Sequence, residues 1–444
     1  MKSSLTFCGG AGSVTGVNIH LATGDAKVLL DCGLLQREAP DDAVNSSAFE
    51  YDVTAVDALF VSHAHADHIG RIPKLVSDGF RGVIYSTEAT RDLAALMFDD
   101  ALRVTKASLY DREDVAATLA LWKTHGYHEP FPVKDFSCQF LDAGHILGSA
   151  MVQLTRNGRI FLYTGDLGNS PEPLLPDTES PQGARIMVME SVYGDRVHVD
   201  QATRREHLRE IIEQVRERKG TLIIPAFSIE RIQILLHEIN DLLEARKIGH
   251  IPVFLDSPLA IHTTEIFRRH ATLFNDEIRG HLERGDDPFS FPGLTLTRHT
   301  GDSMELHTLQ GPKIILAGSG MSVGGRIRSH EKFYAPRHDA TILFVGYQVP
   351  GSLGRKLLDG ARRVEIDGED VDIRAQVLSL SGFSGHKDRD GLIDFVGQTE
   401  ESLEQVFVAL GEPKSSLFLA QRLRDFLGVD AIVPEAKKAY QIDW

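Results

Sequence analysis

This sequence has few of the features that would tie it to a membrane or to an oxidising compartment. It contains only three cysteines in 444 residues, Cys8, Cys32 and Cys138, and none forms a CxxC pair. Neither a disulfide framework nor a thiolate zinc site is indicated. No apolar run approaches the roughly 18 residues that a membrane span needs, and residues 1–6 lack the apolar stretch of a signal peptide. We therefore expect a cytoplasmic protein without membrane attachment.

Positive charge is also scarce. The chain has 47 Lys and Arg residues against 63 Asp and Glu residues, a formal net charge of -16. This balance argues against a broad surface that coats nucleic acid, but it is compatible with a local basic groove and with bound divalent cations. The hydrophobic fraction of 42% is ordinary for a globular protein, and the length allows two or three domains with ample core.

The sequence is rich instead in imidazole and carboxylate groups at one place. The run 62–68, Ser-His-Ala-His-Ala-Asp-His, lies between an apolar, strand-like run and a helix-like segment. Imidazole nitrogen and carboxylate oxygen are the ligands that zinc and its neighbours favour. In extended or turn backbone His63 and His65 can point the same way, with Asp67 and His68 just beyond. This turn is therefore predicted to bind metal; a histidine-rich surface turn is the alternative.

Three further polar residues stand on turns after predicted strands. His145 and Asp166 are each flanked by glycines, which let the backbone approach closely. Either residue alone is an ordinary turn residue, but together with the 62–68 run they become candidate ligands. Asp31 precedes a Cys-Gly turn and is a candidate carboxylate for orienting a ligating imidazole, with a plain turn aspartate as the alternative.

The pattern of apolar runs changes along the chain. Up to about residue 195, short strands with glycine and aspartate turns and interspersed helices suggest sheets packed face to face with helices outside. Beyond it, continuous apolar strands alternate with helices, which is typical of a parallel sheet covered on both faces. From about residues 377–380 onward, the residue types again resemble those of the first part of the chain. We predict a domain of residues 1–195 and 371–444, interrupted by an inserted domain of residues 196–370.

These residues carry a family resemblance. Asp31, the cluster 63–68, His145 and Asp166, in this order, resemble the metallo-β-lactamase fold. The segments 189–194 (Met-Glu-Ser-Val-Tyr-Gly) and 381–386 (Ser-Gly-Phe-Ser-Gly-His), the insert, and the stretches 225–233 and 318–325 are similar to the β-CASP subgroup.

That subgroup comprises nucleic-acid-processing nucleases, including the pre-mRNA cleavage and polyadenylation endonuclease and its prokaryotic relatives. The resemblance spans essentially the whole chain. It implies an α/β protein, a metallo-β-lactamase αββα sandwich into which a β-CASP domain, built on a mainly parallel sheet, is inserted.

The resemblance also implies roles for the candidate ligands. Two zinc ions, for which manganese can substitute, would acidify water so that hydroxide attacks phosphorus. The first ion would be held by His63, His65 and His145, and the second by Asp67 and His68, with Asp166 bridging the two.

Further residues fall at positions to which the subgroup gives catalytic roles. His386 lies where a histidine protonates the leaving oxygen, and Glu190 where an acidic residue positions that imidazole. Asp67 and Asp31 complete the predicted catalytic set. The glycine run at the strand-to-helix junction offers backbone N–H groups to a phosphate, with a packing role as the alternative. The candidate phosphate contacts there are Ser319, Gly320, Arg326 and His330.

One position departs from the pattern. RNA-processing members carry another histidine ligand of the second zinc ion in a Val-His-Gly-Glu turn, whereas this chain has Leu410 in the matching stretch 408–412. DNA-processing, Artemis-like members also have an aliphatic residue there. We therefore expect one firm metal site and one weaker site.

The sequence thus predicts a zinc-dependent ribonuclease that cuts single-stranded RNA internally and can also act from an end. Three alternatives stay open: a DNA nuclease of the Artemis-like type, a hydrolase of a small ester or thioester, and a weakly active RNA-binding subunit of a larger assembly. A homodimer is compatible with the sequence, which leaves the oligomeric state undecided.

Overall fold

The computed structural model describes residues 3–36, 42–104, 109–349, 351–380 and 382–444. The chain divides into two compact units, the first of Met1–Val197 and Gly385–Trp444 and the second of His198–Ser384. The strand Gln376–Ser379 pairs within the sheet of the second unit. Because that strand lies beyond residue 371, we propose Gly385 as the point where the chain re-enters the first unit.

The helices and strands follow one another in this order. The first part of the chain forms β1 (Ser3–Gly9), β2 (Asn18–Ala22), β3 (Lys27–Leu30), α1 (Asp42–Ser46), β4 (Ala58–Phe60), α2 (Ala66–Ile69), α3 (Ile72–Ser77), β5 (Val83–Ser86), α4 (Glu88–Val104), α5 (Arg112–Ala120), β6 (Trp122–Thr124), β7 (Phe131–Val133), β8 (Phe136–Asp142), β9 (Ala150–Arg156), β10 (Arg159–Tyr163) and β11 (Ala184–Met189). The second unit forms α6 (Gln201–Glu217), β12 (Thr221–Pro225), α7 (Arg231–Glu244), β13 (Val253–Leu255), α8 (Pro258–Arg269), α9 (Asp276–Glu283), β14 (Leu294–Leu296), α10 (Thr300–Glu305), β15 (Lys313–Ala317), α11 (Ile327–Tyr334), β16 (Ala340–Phe344), α12 (Leu353–Leu358), β17 (Arg363–Ile366), β18 (Glu369–Asp372) and β19 (Gln376–Ser379). The return to the first unit forms α13 (Arg389–Gly397), β20 (Gln405–Val408), α14 (Pro413–Leu427), β21 (Ala431–Ile432) and β22 (Ala439–Ile442).

The first unit contains two sheets that pack face to face. One has the strand order β22-β1-β2-β3-β4-β5-β6 and the other β21-β20-β11-β10-β9-β8-β7. Large apolar side chains of both sheets meet in one core, among them Phe7 and Phe60 from the first sheet and Phe161 and Val188 from the second. Each buried side chain of this size contributes about 1.5–3 kcal/mol of transfer free energy, so this interface is a main source of the unit's stability.

Helices cover the outer faces of the sandwich. On the second sheet, α13 and α14 bury Phe395 and Leu423 against Met187 and Val406. Beside the first sheet, α4 packs near β6 and buries Leu93. The predicted helix–sheet–sheet–helix layering is therefore confirmed.

The second unit is built on a parallel sheet. Its strand order is β14-β13-β15-β12-β16-β19, and every neighbouring pair is parallel. All residues of β12, β15 and β16 are buried, as expected for strands covered on both faces. The mainly parallel inserted sheet is thus confirmed. In the part of the chain that the structure describes, no helix combines the length and the apolar character needed to cross a bilayer.

Candidate metal centre

The predicted ligands follow the carboxyl ends of strands in the first unit, on loops or, for Asp67 and His68, in the short helix α2. Asp31 follows β3 and the cluster 63–68 follows β4, and these two strands are parallel. His145 follows β8 and Asp166 follows β10, which run in the same direction because each is antiparallel to β9. Ends of strands that share a direction lie at one edge of a sheet, so the fold brings together residues that are far apart in sequence.

Four of these side chains converge on one point. The distance from His65 Nδ1 to His63 Nε2 is 3.0 Å, and to His145 Nε2 it is 3.3 Å. Asp166 Oδ2 lies 3.4 Å from His63 Nε2 and 3.6 Å from His145 Nε2. Ligand atoms about 2.1 Å from a tetrahedral zinc ion lie roughly 3.4 Å from one another. The observed spacing therefore fits the ligand shell of a single metal ion.

His68 and Asp67 stand beside this cluster. His68 Nε2 lies 3.4 Å from Asp166 Oδ2 and 3.9 Å from Asp67 Oδ2. This nitrogen is buried and makes no hydrogen bond among the described residues. Because a buried polar atom without a partner is costly, its orientation toward two carboxylates fits a position that a second cation would share with Asp166.

The remaining ring nitrogen of each ligand candidate is engaged elsewhere. His145 Nδ1 donates to the carbonyl oxygen of Gly385 at 2.8 Å, and His68 Nδ1 donates to Asp31 Oδ2 at 2.7 Å. Such hydrogen bonds set the tautomer and orient the ring of a metal-binding histidine. They leave Nε2 of both rings directed toward the cluster.

Asp31 organises the layer behind the ligands. Its buried carboxylate accepts the Ser62 backbone N–H at 2.8 Å, the Ser62 hydroxyl at 2.7 Å and the Tyr163 hydroxyl at 2.6 Å. Because the Ser62 hydroxyl donates to Asp31, it must accept from His63 Nδ1, which lies 3.0 Å away. Asp31 also has a φ of 58°, a left-handed conformation that aspartate tolerates better than most residues.

Burial and charge act differently on the clustered groups. Burial lowers the pKa of His63 and of His145 well below the usual value, so both rings are neutral, the form that binds metal. Burial would also lower the pKa of His68, but the carboxylates of Asp166 and Asp31 outweigh it and raise this pKa well above the usual value. Burial would raise the pKa of Asp166, yet neighbouring imidazoles, with His68 foremost, hold it well below its usual range. The site therefore favours positive charge beside an ionised carboxylate.

His386 and Glu190 form a pair at the edge of the cluster. His386 Nδ1 lies 3.1 and 3.2 Å from the two oxygens of Glu190 and 4.0 Å from Asp166 Oδ2. The backbone N–H of Leu167 donates to Glu190 at 2.7 Å and fixes the carboxylate. Burial would lower the pKa of His386, but the carboxylates of Glu190 and Asp166 raise it to about 9. Ser381, the first residue of the 381–386 segment, lies outside the described residues.

Leu410 occupies the position where a histidine ligand is expected from the resemblance. It is fully buried in the core between the sheets, and its backbone N–H donates to the carbonyl oxygen of Gly10 at 2.7 Å. Its φ is 49°, a conformation that strains a leucine. The turn geometry is therefore present without the imidazole.

Two candidate phosphate contacts, Ser319 and Gly320, lie on the loop after β15 in the second unit. The carbonyl oxygen of Gly320 accepts a hydrogen bond from Gln348 at 2.9 Å. A side chain at Gly320 would come within 2.8 Å of the Phe227 ring, so close packing requires glycine there. Phosphate binding at Ser319 and Gly320 stays a prediction beside this packing role.

The other two candidates, Arg326 and His330, are held inside the second unit by Asp256. Arg326 donates to Asp256 at 2.6 Å and to the Thr297 carbonyl oxygen at 2.9 Å. His330 is fully buried, with Nε2 at 2.6 Å from Asp256 and Nδ1 at 3.2 Å from His307. These bonds give both residues a structural role, and phosphate binding by Arg326 and His330 stays a prediction beside it.

Several contributors to the centre were missed in the sequence. Ser62 and Tyr163 both bind Asp31, and the carbonyl oxygen of Gly385 orients His145. Ser62 directly precedes His63, and Tyr163 lies three residues before Asp166; this proximity to predicted ligands is the signal that the sequence offers for both. A backbone carbonyl carries no sequence signal, because every residue has one.

Comparison with known proteins shows what this chain resembles. A protein named Ribonuclease TTHA0252, from Thermus thermophilus, is 38% identical over 416 residues, which cover 94% of each chain. Family profiles match with the descriptions "Metallo-beta-lactamase superfamily" over residues 12–226, "Beta-Casp domain" over 232–357 and "Zn-dependent metallo-hydrolase RNA specificity domain" over 370–434. This chain belongs to the β-CASP group of the metallo-β-lactamase superfamily.

Two further relatives of this β-CASP chain come from other organisms. An RNase J-like protein from Methanocaldococcus jannaschii is 32% identical over 435 residues and 97% of each chain. A transcription termination factor FttA from Cenarchaeum symbiosum is 32% identical over 463 residues, 99% of this chain and 71% of the relative. A crystal structure described as a protein of unknown function from Enterococcus faecalis covers all of both chains with a TM-score of 0.60 and 13% identity, which supports the fold alone.

Proposed function

We propose that this protein is a zinc-dependent ribonuclease that cleaves phosphodiester bonds of single-stranded RNA. The observation that carries the proposal is the convergence of His63, His65, His145 and Asp166 within 4.8 Å of one another. Relatives named as ribonucleases over nearly the whole length of this chain support RNA as the substrate class.

The first ion would be held by His63, His65, His145 and Asp166, and a second by Asp67 and His68 together with Asp166. When bound, the ions supply an acidified water and neutralise charge on the phosphate in the transition state. The chain's own contribution is to hold these ligands rigidly through hydrogen bonds behind them, with Asp31 as the main acceptor. We keep manganese as an alternative to zinc.

His386 would donate the proton to the leaving oxygen. With a pKa raised to about 9, its imidazole carries a proton at neutral pH. Nδ1 donates to Glu190, and this bond fixes the orientation of the ring. Glu190 acts here as the positioning partner, since its carboxylate is itself held by the Leu167 N–H.

Leu410 bears on the second metal position and on the substrate. Because a leucine cannot ligate metal, we infer that the ion beside Asp67 and His68 binds more weakly than the first. Because Artemis-like DNA nucleases also have an aliphatic residue at this position, Leu410 makes a DNA nuclease the second candidate function. Cleavage of matched single-stranded RNA and DNA oligonucleotides by one preparation separates these two; faster cleavage of DNA would refute RNA as the substrate.

The metal mechanism is tested with His145→Ala and Asp166→Asn. We expect both variants to lose zinc, measured by mass spectrometry, and to lose cleavage of a labelled single-stranded RNA, while circular dichroism stays unchanged. His128→Ala removes a histidine whose side chain is 60% exposed and outside the cluster, and it serves as the matched control. Wild-type activity in the two ligand variants would exclude the proposed site. Cleavage of a circular RNA tests whether the enzyme cuts internally.

A further inference from the structure

One surface of α14 carries an alternating row of cationic and aromatic side chains. Lys414, Phe418, Arg422 and Phe426 stand at every fourth position, a spacing that makes each a neighbour of the next on the helix surface. The Phe426 residue is 63% exposed, and Leu417 beside the row is 58% exposed. The row is therefore open to solvent at its two ends, Lys414 and Phe426, while Phe418 and Arg422 between them are half-buried.

Arg422 lies between the two aromatic rings. Its guanidinium carbon is 5.0 Å from the centroid of Phe418 and 5.2 Å from that of Phe426, within the range of cation–π contact. Among the described residues its guanidinium makes no hydrogen bond and no ion pair within 4.0 Å. The rings thus hold the face of the guanidinium, while its N–H groups stay available to an anion.

The opposite side of α14 explains why this row points outward. Leu419, Ala420 and Leu423 pack into the core against the second sheet. The helix carries Lys414, Arg422 and Arg424 against the single acidic residue Asp425, in a chain whose net charge is -16. Lys414 also pairs with Asp195 at 3.3 Å, so the cationic character of the row rests mainly on Arg422. A locally cationic helix on an acidic protein is complementary to a polyanion.

We propose that this row, Lys414, Phe418, Arg422 and Phe426, is a second contact surface for single-stranded RNA, apart from the metal centre. A base stacks on the exposed ring of Phe426 and a phosphate accepts hydrogen bonds from Arg422, a combination that binds single strands without reading their sequence. An apolar partner protein is a poorer match, because it would bury the Arg422 donors without acceptors. The proposal rests on the ribonuclease function proposed above.

The test compares a long and a minimal substrate with full-length protein. We expect Arg422→Glu and Phe426→Ala each to raise the KM for an RNA of about 20 nucleotides by about tenfold, the lower range for loss of one stacked base. The kcat on that RNA, the zinc content and the hydrolysis of bis(p-nitrophenyl) phosphate are expected to stay unchanged. The salt dependence of RNA binding is expected to weaken in Arg422→Glu, since one phosphate contact is lost.

Matched controls account for charge and for exposed aromatic area. Arg112→Glu makes the same change of charge at a side chain that is 76% exposed on α5, and Phe333→Ala removes a 39% exposed ring of the second unit. An unchanged KM in the α14 variants, or the same increase in the controls, would overturn the proposal.

The oligomeric state gives a second test. If the wild-type protein is a dimer and Phe426→Ala converts it to a monomer, a second copy of the chain occupies this face, and the proposal is overturned. If the wild-type protein cleaves no RNA, the proposed ribonuclease function is refuted. If the wild-type protein and all α14 variants cleave RNA equally well, only the proposal of a second RNA-binding surface is refuted.

Discussion

The Asp31 cluster of the first unit and the Asp256 cluster of the second are built from similar parts. In each, a buried aspartate follows a strand and accepts hydrogen bonds from hydroxyl groups and from a buried histidine: His68 in the first and His330 in the second. From the residue types alone, both would pass as candidate ligand clusters.

The two clusters differ in what each histidine has left to offer. His68 uses Nδ1 on Asp31 and keeps a buried Nε2 with no hydrogen-bond partner among the described residues, facing other ligands. His330 uses Nε2 on Asp256 and Nδ1 on His307, so both ring nitrogens are engaged. A histidine–aspartate cluster is a candidate metal site when ring nitrogens are left over at a common point, and a structural network when they are not.

The largest effect is expected from removing the proton donor. His386→Gln should lower kcat by about 10²–10⁴-fold, the usual contribution of general acid catalysis, with KM little changed. Steady-state kinetics on labelled RNA measures this. A variant with near wild-type kcat would show that another group protonates the leaving oxygen.

The same residue predicts the pH dependence of activity. The pKa of His386 is raised to about 9, so the proton-donating form persists at neutral pH and is lost as pH rises through about 9. Because the Glu190 carboxylate raises this pKa, the kcat profile should fall on its alkaline side above the usual histidine pKa, and His386→Gln should flatten that limb. Its bond to Glu190 likewise stabilises the fold below the unfolded pKa of about 6.5 and loses this contribution as pH rises through about 9.

Asp256→Ala should act on stability rather than on metal. The buried His330 and the partly exposed Arg326 would lose their carboxylate, a loss of about 1–3 kcal/mol in the free energy of unfolding. Urea unfolding measures this, with zinc content as the control that should not change.

The pKa of Asp256 lies well below its usual range. Burial would raise this pKa, but hydrogen bonds from His330 and from neighbouring hydroxyl groups outweigh it. Its contribution is present above the unfolded pKa of about 3.9 and is lost as pH falls below that value. Zinc loss in this variant would contradict the contrast between the clusters.

Asp31→Asn should act on metal more than on stability. The amide nearly preserves the shape but loses the charge that orients His68, so we expect about 10–100-fold weaker zinc binding or activity. Competition with a chelator measures the affinity. Unchanged affinity would mean that Asp31 only supports the turn, as Asp256 does in its own cluster.

The smallest effect is expected from Leu410→His. Histidine tolerates positive φ better than leucine, and it would present an imidazole at the turn. We expect more zinc bound per chain and an increase in activity within about tenfold, offset by loss of buried apolar area. The zinc content per chain and the rate of RNA cleavage, measured on the same preparation, check this prediction. Leu410→Met is the control, because it keeps the side-chain volume but adds no imidazole.

Much of the metal centre was predictable because its ligands lie close in sequence or beside glycine turns. The 63–68 run combines short spacing with residue types that have few other uses together. His145 and Asp166 could be predicted as ligands only in combination with that run, and the structure places both side chains beside it. The phosphate contacts were less predictable: Arg326 and His330 follow a glycine run on a helix, but their bonds to Asp256 depend on a strand distant in sequence.

By itself the sequence determined the layered fold, the inserted parallel sheet and the identities of the candidate ligands, since periodicity, glycine turns and side-chain chemistry are local properties. Only the tertiary structure decided which nitrogen of each histidine stays available, that Asp31 rather than Asp256 stands behind a candidate metal site, and that the ends of the α14 row are open to solvent. Those outcomes depend on hydrogen bonds and burial between residues far apart in the chain, and spacing along the sequence does not encode them.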